Sequence, residues 1–277
     1  MRIVLVGPGR AGMSLAVAAT AADHDVVGVV GRTMESAIQG ASLIGSEPLT
    51  IDSGLPDAEL LIVATRDGVI GAAAVALAEK VTGIDAAVHV SGLTSVAVLE
   101  PLSAVGLQVG SFHPLQTLPT PEAGAARLAG AYVAVTAEPP LRELLNELAV
   151  GLGATPFPLD DAAKPLYHAA AAAAANFPLA ALTMAADMFE STGVPWEAAR
   201  PLVEAVVNNA FELGPRAALT GPVARGDVAT VAGQLQAIDA DLPEWRVPFG
   251  RFVEVLAALT GRSEQFEAVL NAEEQGP

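Results

Sequence analysis

Cysteine is missing from the chain altogether. Its absence excludes disulfides, thiolate zinc sites and a thiol nucleophile. It agrees with a cytoplasmic location, which is the expectation here. Basic residues are scarce: 14 Lys and Arg stand against 31 Asp and Glu, for a net charge of −17. Such a surface repels nucleic acid and anionic membranes, so neither is expected as a partner. The bias itself reads as a solubility device. Only two lysines occur, Lys80 and Lys164, and four histidines, His24, His89, His113 and His168. In a composition that avoids Lys, each one retained is worth inspecting.

Long apolar runs are also lacking. A membrane-spanning helix needs ~18 to 20 residues without a break. The nearest stretch, residues 169–186, is mostly alanine and contains Asn176 and Pro178. The first residues carry no basic region and read at once as a strand, so no export signal is expected. A sizeable core is available, since 52% of the 277 residues are hydrophobic, enough for one large domain or two ordinary ones.

The most informative stretch is MRIVLVGPGRAG, residues 1–12. Ile3, Val4, Leu5 and Val6 form an unbroken aliphatic run, the pattern of a strand buried on both faces of a parallel sheet. Gly7-Pro8-Gly9-Arg10-Ala11-Gly12 follows and fits G-x-G-x-x-G, and residues 13–22 read as a helix. In such a fingerprint the first glycine makes a tight turn. The second lets the backbone approach a pyrophosphate, and the third packs helix against strand. The helix N-terminus supplies free N–H groups for the phosphates. By itself a Gly-rich turn can be just a turn. Placed between a strand and a helix it predicts dinucleotide binding.

The next predicted strand, residues 26–30, ends in Gly31-Arg32-Thr33. An NAD site usually places Asp or Glu about here, for the ribose 2′-OH. Arg32 and the Thr33 hydroxyl suit a 2′-phosphate instead, which favours NADP (NADPH) over NAD. The alternative for Arg32 is an exposed turn residue. Further strands are expected at 49–51, 60–64, 86–90, 107–112, 131–136 and 154–159, with helices at 33–40, 68–80 and 140–152. Residues 119–129 read as a surface loop. Ligands of open parallel sheets lie off the carboxyl ends of the strands. That places Ala64, Thr65, Arg66 and Ser91 near the cofactor, and Gly92 and His113 near a substrate. Asp67 reads as a helix N-cap. The alternation of strand and helix predicts an α/β, doubly wound, mostly parallel Rossmann sheet over residues 1–160.

After Asp160-Asp161 only helices are expected, so residues 161–277 read as an all-helical substrate and dimerisation domain. The predicted helices cover 164–191, with Pro178 inside, then 196–213, 228–240 capped by Asp227, and 247–259. A loop covers 221–226, and residues 271–277 fray. The helix at 164 opens KPLYH. Lys164 and His168 lie four residues apart, on one face and ~6 Å along the axis. They suit a proton-donor pair for a carbonyl under reduction, and the ammonium suits a substrate carboxylate. The plainer alternatives are a solvated lysine and a packed histidine. Asn176, ~12 Å beyond His168 along the axis, shares a site with Lys164 only if Pro178 bends the helix. Asn209, beside Asn208 in mid-helix, and Arg225, in a Gly/Pro-rich loop, complete the substrate candidates. His89, His113 and His168 show no metal-ligand spacing, and no metal is expected.

The order of these parts resembles the 6-phosphogluconate-dehydrogenase-like superfamily, which includes the β-hydroxyacid dehydrogenases, ketopantoate reductase and pyrroline-carboxylate reductase. HVSG (89–92), SFHPLQTL (111–118), KPLYHAAA (164–171) and LTGPVARGD (219–227) resemble, more closely, a bacterial family. That family joins a Rossmann-like domain to a helical domain of unknown function, and its members are labelled candidate NADP oxidoreductases. In the hydroxyacid dehydrogenases a Lys is followed four residues later by Asn. Lys164 matches the lysine, and His168 replaces the Asn. The further Asn of ketopantoate reductase is Ala172 here. The resemblance implies reduction of a small carbonyl or imine, such as a ketopantoate-like acid, and a homodimer through the helical domain. The departure at His168 keeps open a second expectation, a dinucleotide-binding or sensing protein without catalysis.

Overall fold

The computed structural model describes residues 1–271; the tail expected to fray lies, from residue 272 on, outside them. Eight strands form one sheet, in the order β3-β2-β1-β4-β5-β6-β7-β8. In chain order the first unit runs β1 (Arg2–Val6), α1 (Arg10–Ala21), β2 (Asp25–Gly31), α2 (Met34–Ser42), β3 (Glu47–Thr50), β4 (Ala58–Val63), α3 (Asp67–Ala78) and β5 (Ile84–His89). It continues with α4 (Glu100–Ala104), β6 (Gln108–Leu115), α5 (Pro121–Leu128), β7 (Tyr132–Thr136), α6 (Leu141–Gly151) and β8 (Thr155–Pro158). All neighbouring strands pair in parallel except β6 and β7. The expected mostly parallel, doubly wound Rossmann architecture is therefore observed.

The period of two along each strand builds two separate cores. Ile3 and Leu5 of β1 face one way and pack with Leu60, Ile62, Val88 and Phe112 under α1, α5 and α6. Val4 and Val6 face the other way, with Leu61, Val63 and Ala87 under α3 and α4. Because both faces are covered, these strands read as solid aliphatic runs rather than alternating ones.

Several local expectations are corrected. The segment at 119–129 is not a loop: Thr120 accepts from the Ala123 N–H and caps α5. Gly124 of α5 sits so close to α1 that a Cβ there would lie 2.0 Å from the Ser14 hydroxyl oxygen. Asp67 is the first residue of α3 rather than its cap; Arg66 holds the cap position, with no side-chain bond. The carboxylate still complements the helix dipole.

The helices that follow are α7 (Lys164–Ser191), α8 (Arg200–Leu213), α9 (Pro222–Arg225), α10 (Val228–Asp241), α11 (Arg246–Leu259) and α12 (Ser263–Leu270). The expected loop at 221–226 contains the single turn of α9, and α12 follows what had read as the last helix. Asp227 caps α10 as expected, accepting from the Thr230 N–H. Asn176 and Pro178 do not interrupt α7. With its preceding turn (Asp161–Ser191) it is long and apolar enough to cross a membrane by length and composition, with a mean hydropathy of 1.5.

Strands end at Pro158, yet the compact units divide further on, at Met1–Asn176 and Phe177–Pro277. The first three turns of α7 thus belong with the sheet. The second unit has its own small core of Val223, Val231, Leu235, Val253, Ala257 and Phe266. It is fastened by Trp245 Nε1 donating to Asp187 at 2.8 Å and by an Arg246–Asp239 ion pair at 3.2 Å.

Candidate functional site

The turn after β1 is built as the fingerprint requires. Gly7 has φ +96°, and a Cβ there would lie 2.8 Å from the Ala64 carbonyl oxygen. A Cβ on Gly12 would lie 2.4 Å from the Gly7 carbonyl oxygen, so α1 rests directly on the turn. Gly9 differs: a Cβ there meets nothing within 4 Å. Gly9 is also the N-cap of α1, with no side chain to cap it and no acidic residue in the first turn. The first N–H groups of α1, at Arg10, Ala11 and Gly12, are thus left for an anion.

This turn forms one wall of a cavity of about 570 Å³, a size that takes a nucleotide half. Of the residues expected at the cofactor, Gly7, Pro8, Gly9, Gly31, Arg32, Thr33, Ala64, Thr65 and Arg66 line it, whereas Arg10, Ala11 and Gly12 lie behind the turn in α1. Ile51, Val69, Ala72 and Ala76 supply an apolar side suited to a flat base. Among the described residues no carboxylate lines this cavity. Arg32 is exposed beside it. The Thr33 hydroxyl has another task, accepting from the Ser36 N–H at 3.2 Å as the cap of α2. Ser36, absent from the sequence-based set, lines the cavity as well. Thr65 Oγ1 is buried at the wall without a hydrogen-bond partner among the described residues, an orphan that a polar ligand would satisfy. The residues present fit a dinucleotide carrying a 2′-phosphate.

A second polar cluster occupies the carboxyl ends of β5 and β6. His89 is fully buried, and its Nδ1 accepts from the Ser91 N–H at 3.2 Å. Burial first, and then the Lys164 charge, hold this ring down to about 4. Ser91 Oγ accepts from the Leu93 and Thr94 N–H groups and donates to Thr94 Oγ1, winding the loop on itself. Ser91, expected at the cofactor, is therefore a buried organiser of this loop.

Lys164 closes the loop from the other side. Its Nζ donates to the Thr94 carbonyl at 3.0 Å and lies 2.9 Å from Asp161 Oδ1, with the side chain 1% exposed. Burial lowers the ammonium's pKa, against the pull of Asp161. Asp161 also accepts from the Val96 N–H at 3.0 Å and from the Ser95 hydroxyl. Burial opposes its ionisation, but bonds from Lys164, Ser95 and Val96 hold its carboxyl below the usual range. The sequence reading passed over Asp161, although its spacing of three from Lys164 was visible.

His113 lies beside this clamp. Its Nδ1 is 2.8 Å from the Tyr167 hydroxyl, and its ring meets the rings of Tyr167 and His168 edge-on. A Cβ on Gly92 would lie 2.7 Å from His113 Cε1, so Gly92 makes room for the ring. Burial and then His168 hold His113 down to about 4. Burial pushes the Tyr167 phenol up to about 12. His168 is partly buried, and its Nδ1 has no partner among the described residues. Thus Lys164, His168, His113, Ser91 and Gly92 gather in one unit, together with Tyr167, which the sequence reading missed. Asn176 is exposed at the end of that unit; Asn209 and Arg225 are exposed in the helical unit. Among the described residues no three His, Asp or Glu side chains are grouped to hold a metal ion.

Residues 1–114 match the Rossmann-like domain, and residues 131–247 match a domain of unknown function, DUF2520. No curated protein sequence matches the chain. Among solved structures it is similar to a candidate NADP oxidoreductase from Bacteroides fragilis, with 25% identity, a TM-score of 0.77, and 95% of this chain and 98% of that one covered. A protein from Thermotoga maritima is 20% identical, with a TM-score of 0.69 over 95% and 99% of the two chains. A reductive aminase from Aspergillus terreus, bound to NADPH4, cyclohexanone and allyl amine, is 18% identical, with a TM-score of 0.60 over 97% and 93%. The latter two show the fold alone.

Proposed function

We propose that this pairing of a Rossmann-like domain with DUF2520 is an NADP(H)-dependent oxidoreductase that reduces a small carbonyl or imine compound, such as a 2-oxo acid of the ketopantoate kind. One observation carries the cofactor assignment. In a chain of net charge −17, the cavity at the glycine turn has arginines and, among the described residues, no carboxylate. A carboxylate at the end of β2 would favour a ribose 2′-OH and repel a 2′-phosphate; Arg32 stands there instead. The candidate NADP oxidoreductase of B. fragilis supports the same choice.

When bound, the dinucleotide supplies a hydride. The chain's own residues do the rest. The turn at Gly7 and Gly9 and the first N–H groups of α1 hold the pyrophosphate, Arg32 and Ser36 the 2′-phosphate, and Ile51 and Val69 the base. The cluster of Lys164, Tyr167, His168 and His113, with Gly92, orients the substrate and holds the proton its heteroatom receives. Asn176 is a further substrate candidate in the first unit, and Asn209 and Arg225 are the candidates of the helical unit taken by itself.

The test is NADPH oxidation across a panel of 2-oxo acids and cyclic imines, with Arg32→Ala beside the wild type. Arg32→Ala should weaken NADPH about 10- to 100-fold, the worth of a charge-assisted bond to a phosphate, and leave NADH nearly unchanged. Equal loss for both cofactors would remove the 2′-phosphate assignment. A second reading is a sensing protein without catalysis, and the anchoring of Lys164 by Asp161 and Thr94 favours it. Tight NADPH binding with no turnover on any panel member would select it.

The homodimer belongs to this reading too. Phe177, Leu179, Leu202, Val206 and Phe211 are 59% to 89% exposed on α7 and α8, more apolar surface than a lone helical unit usually leaves to water. A second copy of the chain would cover it, and a monomer in sedimentation equilibrium at micromolar concentration would exclude that.

A further inference from the structure

We propose that the proton passed to the substrate is held on Tyr167 Oη, with His113 as the group that aims it and Lys164 as a positioning residue. This inference rests on the reductase reading and names the donor within it.

Lys164 is the first residue one would choose, and its surroundings argue against it. Its ammonium is enclosed, and two of its three N–H directions are occupied, by the Thr94 carbonyl and by Asp161. What it does there is fix residues 91–95 against the mouth of α7. Tyr167 stands one turn further along the same helix. Its phenol is a half-buried hydroxyl with one donor and two acceptor positions. Its one hydrogen bond among the described residues is to His113 Nδ1, at 2.8 Å. When the neutral ring carries its proton on Nδ1, it donates to Oη and leaves the phenolic O–H free to point elsewhere.

The surroundings suit that role. Tyr167 faces His113 of β6 and Phe157 of β8, with Lys164 and His168 on its own helix. Among the described residues the carboxylate acting on His113 is Asp67, at the start of α3 directly after the Thr65-Arg66 wall of the cavity. β4 and β6 are two strands apart in the sheet, or about 10 Å, a span that a dinucleotide reaching from the glycine turn covers. In the reduction, hydride adds to the carbonyl carbon and the C=O π pair moves to oxygen. That oxygen takes the proton from Tyr167 Oη. The phenolate left behind is reprotonated by water, and the His113 Nδ1–H bond steadies it meanwhile.

The experiment uses the full-length protein, NADPH and whichever 2-oxo acid of the panel turns over, comparing wild type with Tyr167→Phe and His113→Gln. Tyr167→Phe removes one oxygen atom and should leave the NADPH Kd within about twofold, while kcat falls about 10²- to 10⁴-fold. Its residual rate should fall about tenfold per pH unit, since the proton then comes from hydronium, whereas the wild-type rate stays flat from pH 6 to 9. His113→Gln should lower kcat less and keep the flat profile. Absorbance titration at 295 nm gives a readout without substrate. An ionisation step at about 12, where burial puts the Tyr167 phenol, should vanish in Tyr167→Phe. Tyr167→Phe with wild-type kcat and a flat profile overturns the assignment and leaves the reductase reading intact. No turnover by the wild type on any substrate overturns the reductase reading, and this inference with it.

Discussion

Replacing Gly9 by alanine separates the dinucleotide cradle from the fold that carries it. Gly9 has φ −79° and ψ 179°, an extended conformation open to any residue, and its missing Cβ faces empty space. The folded chain should accept the methyl without strain. Restricting the unfolded chain stabilises by about 0.4–1 kcal/mol, which the preference of an N-cap for Gly over Ala offsets, so the Tm should stay within about 3 °C of the wild type. The same methyl occupies the space assigned to the pyrophosphate. Crowding of about 1–3 kcal/mol, added to the loss of charge-assisted N–H bonds at about 1.5–3 kcal/mol, gives about 2–4 kcal/mol after partial relaxation. That is about 30- to 1,000-fold in NADPH Kd. Gly12→Ala should do the reverse, since its methyl meets the Gly7 carbonyl at 2.4 Å and Ala64 Cβ at 2.9 Å. Overpacking there should lower the Tm by about 2–10 °C. NADPH quenching of protein fluorescence reads the affinities, and calorimetry the melting points. A Gly9→Ala protein that melts like the wild type and binds NADPH equally well would refute the cradle.

Two further outcomes concern the second cluster. Asp161→Asn leaves the enclosed Lys164 ammonium without its counter-charge; because the carboxylate is partly exposed, the loss should be about 1–2 kcal/mol, read by urea unfolding. Hydrogen exchange at Ser95 and Val96 should quicken in the same variant, and unchanged exchange would refute the clamp. His89 and His113 are held neutral, at about 4 against 6.5 for a free ring. The unfolded chain therefore binds more protons between those values, so this contribution is complete above pH 6.5 and lost as pH falls toward 4. The urea midpoint should drop over that window by the equivalent of a few kcal/mol for the two rings together, with a shallower drop in His113→Phe. A midpoint that does not move from pH 7 to 4.5 would exclude buried neutral rings.

What could be read from the chain was what neighbouring residues settle between themselves. The run Ile3 to Val6 and the strand, turn and helix around Gly7, Gly9 and Gly12 each lie within a few positions, and each of these elements stands in the structure as read. Elements that depend on distant partners were missed. PEAGAARL looked like a loop for its Pro and Gly; its Thr120 cap was local and legible, while the packing of Gly124 on Ser14, more than a hundred residues earlier, was not. Tyr167 sat in plain view between Lys164 and His168. Its significance depends on His113, 54 residues away and brought near only by the sheet. Lys164 itself was noticed for its rarity. Its enclosure follows from the fold of residues 91–95, which no local pattern announces.

The close approach of Gly92 to the His113 ring ties two separate positions into one unit of inheritance. Any side chain at 92 would push the imidazole off the phenol it touches, so a change there is tolerated only after 113 has shrunk or turned. Substitutions at the two sites should therefore be strongly non-additive, and related chains that lose the glycine should have lost the histidine with it.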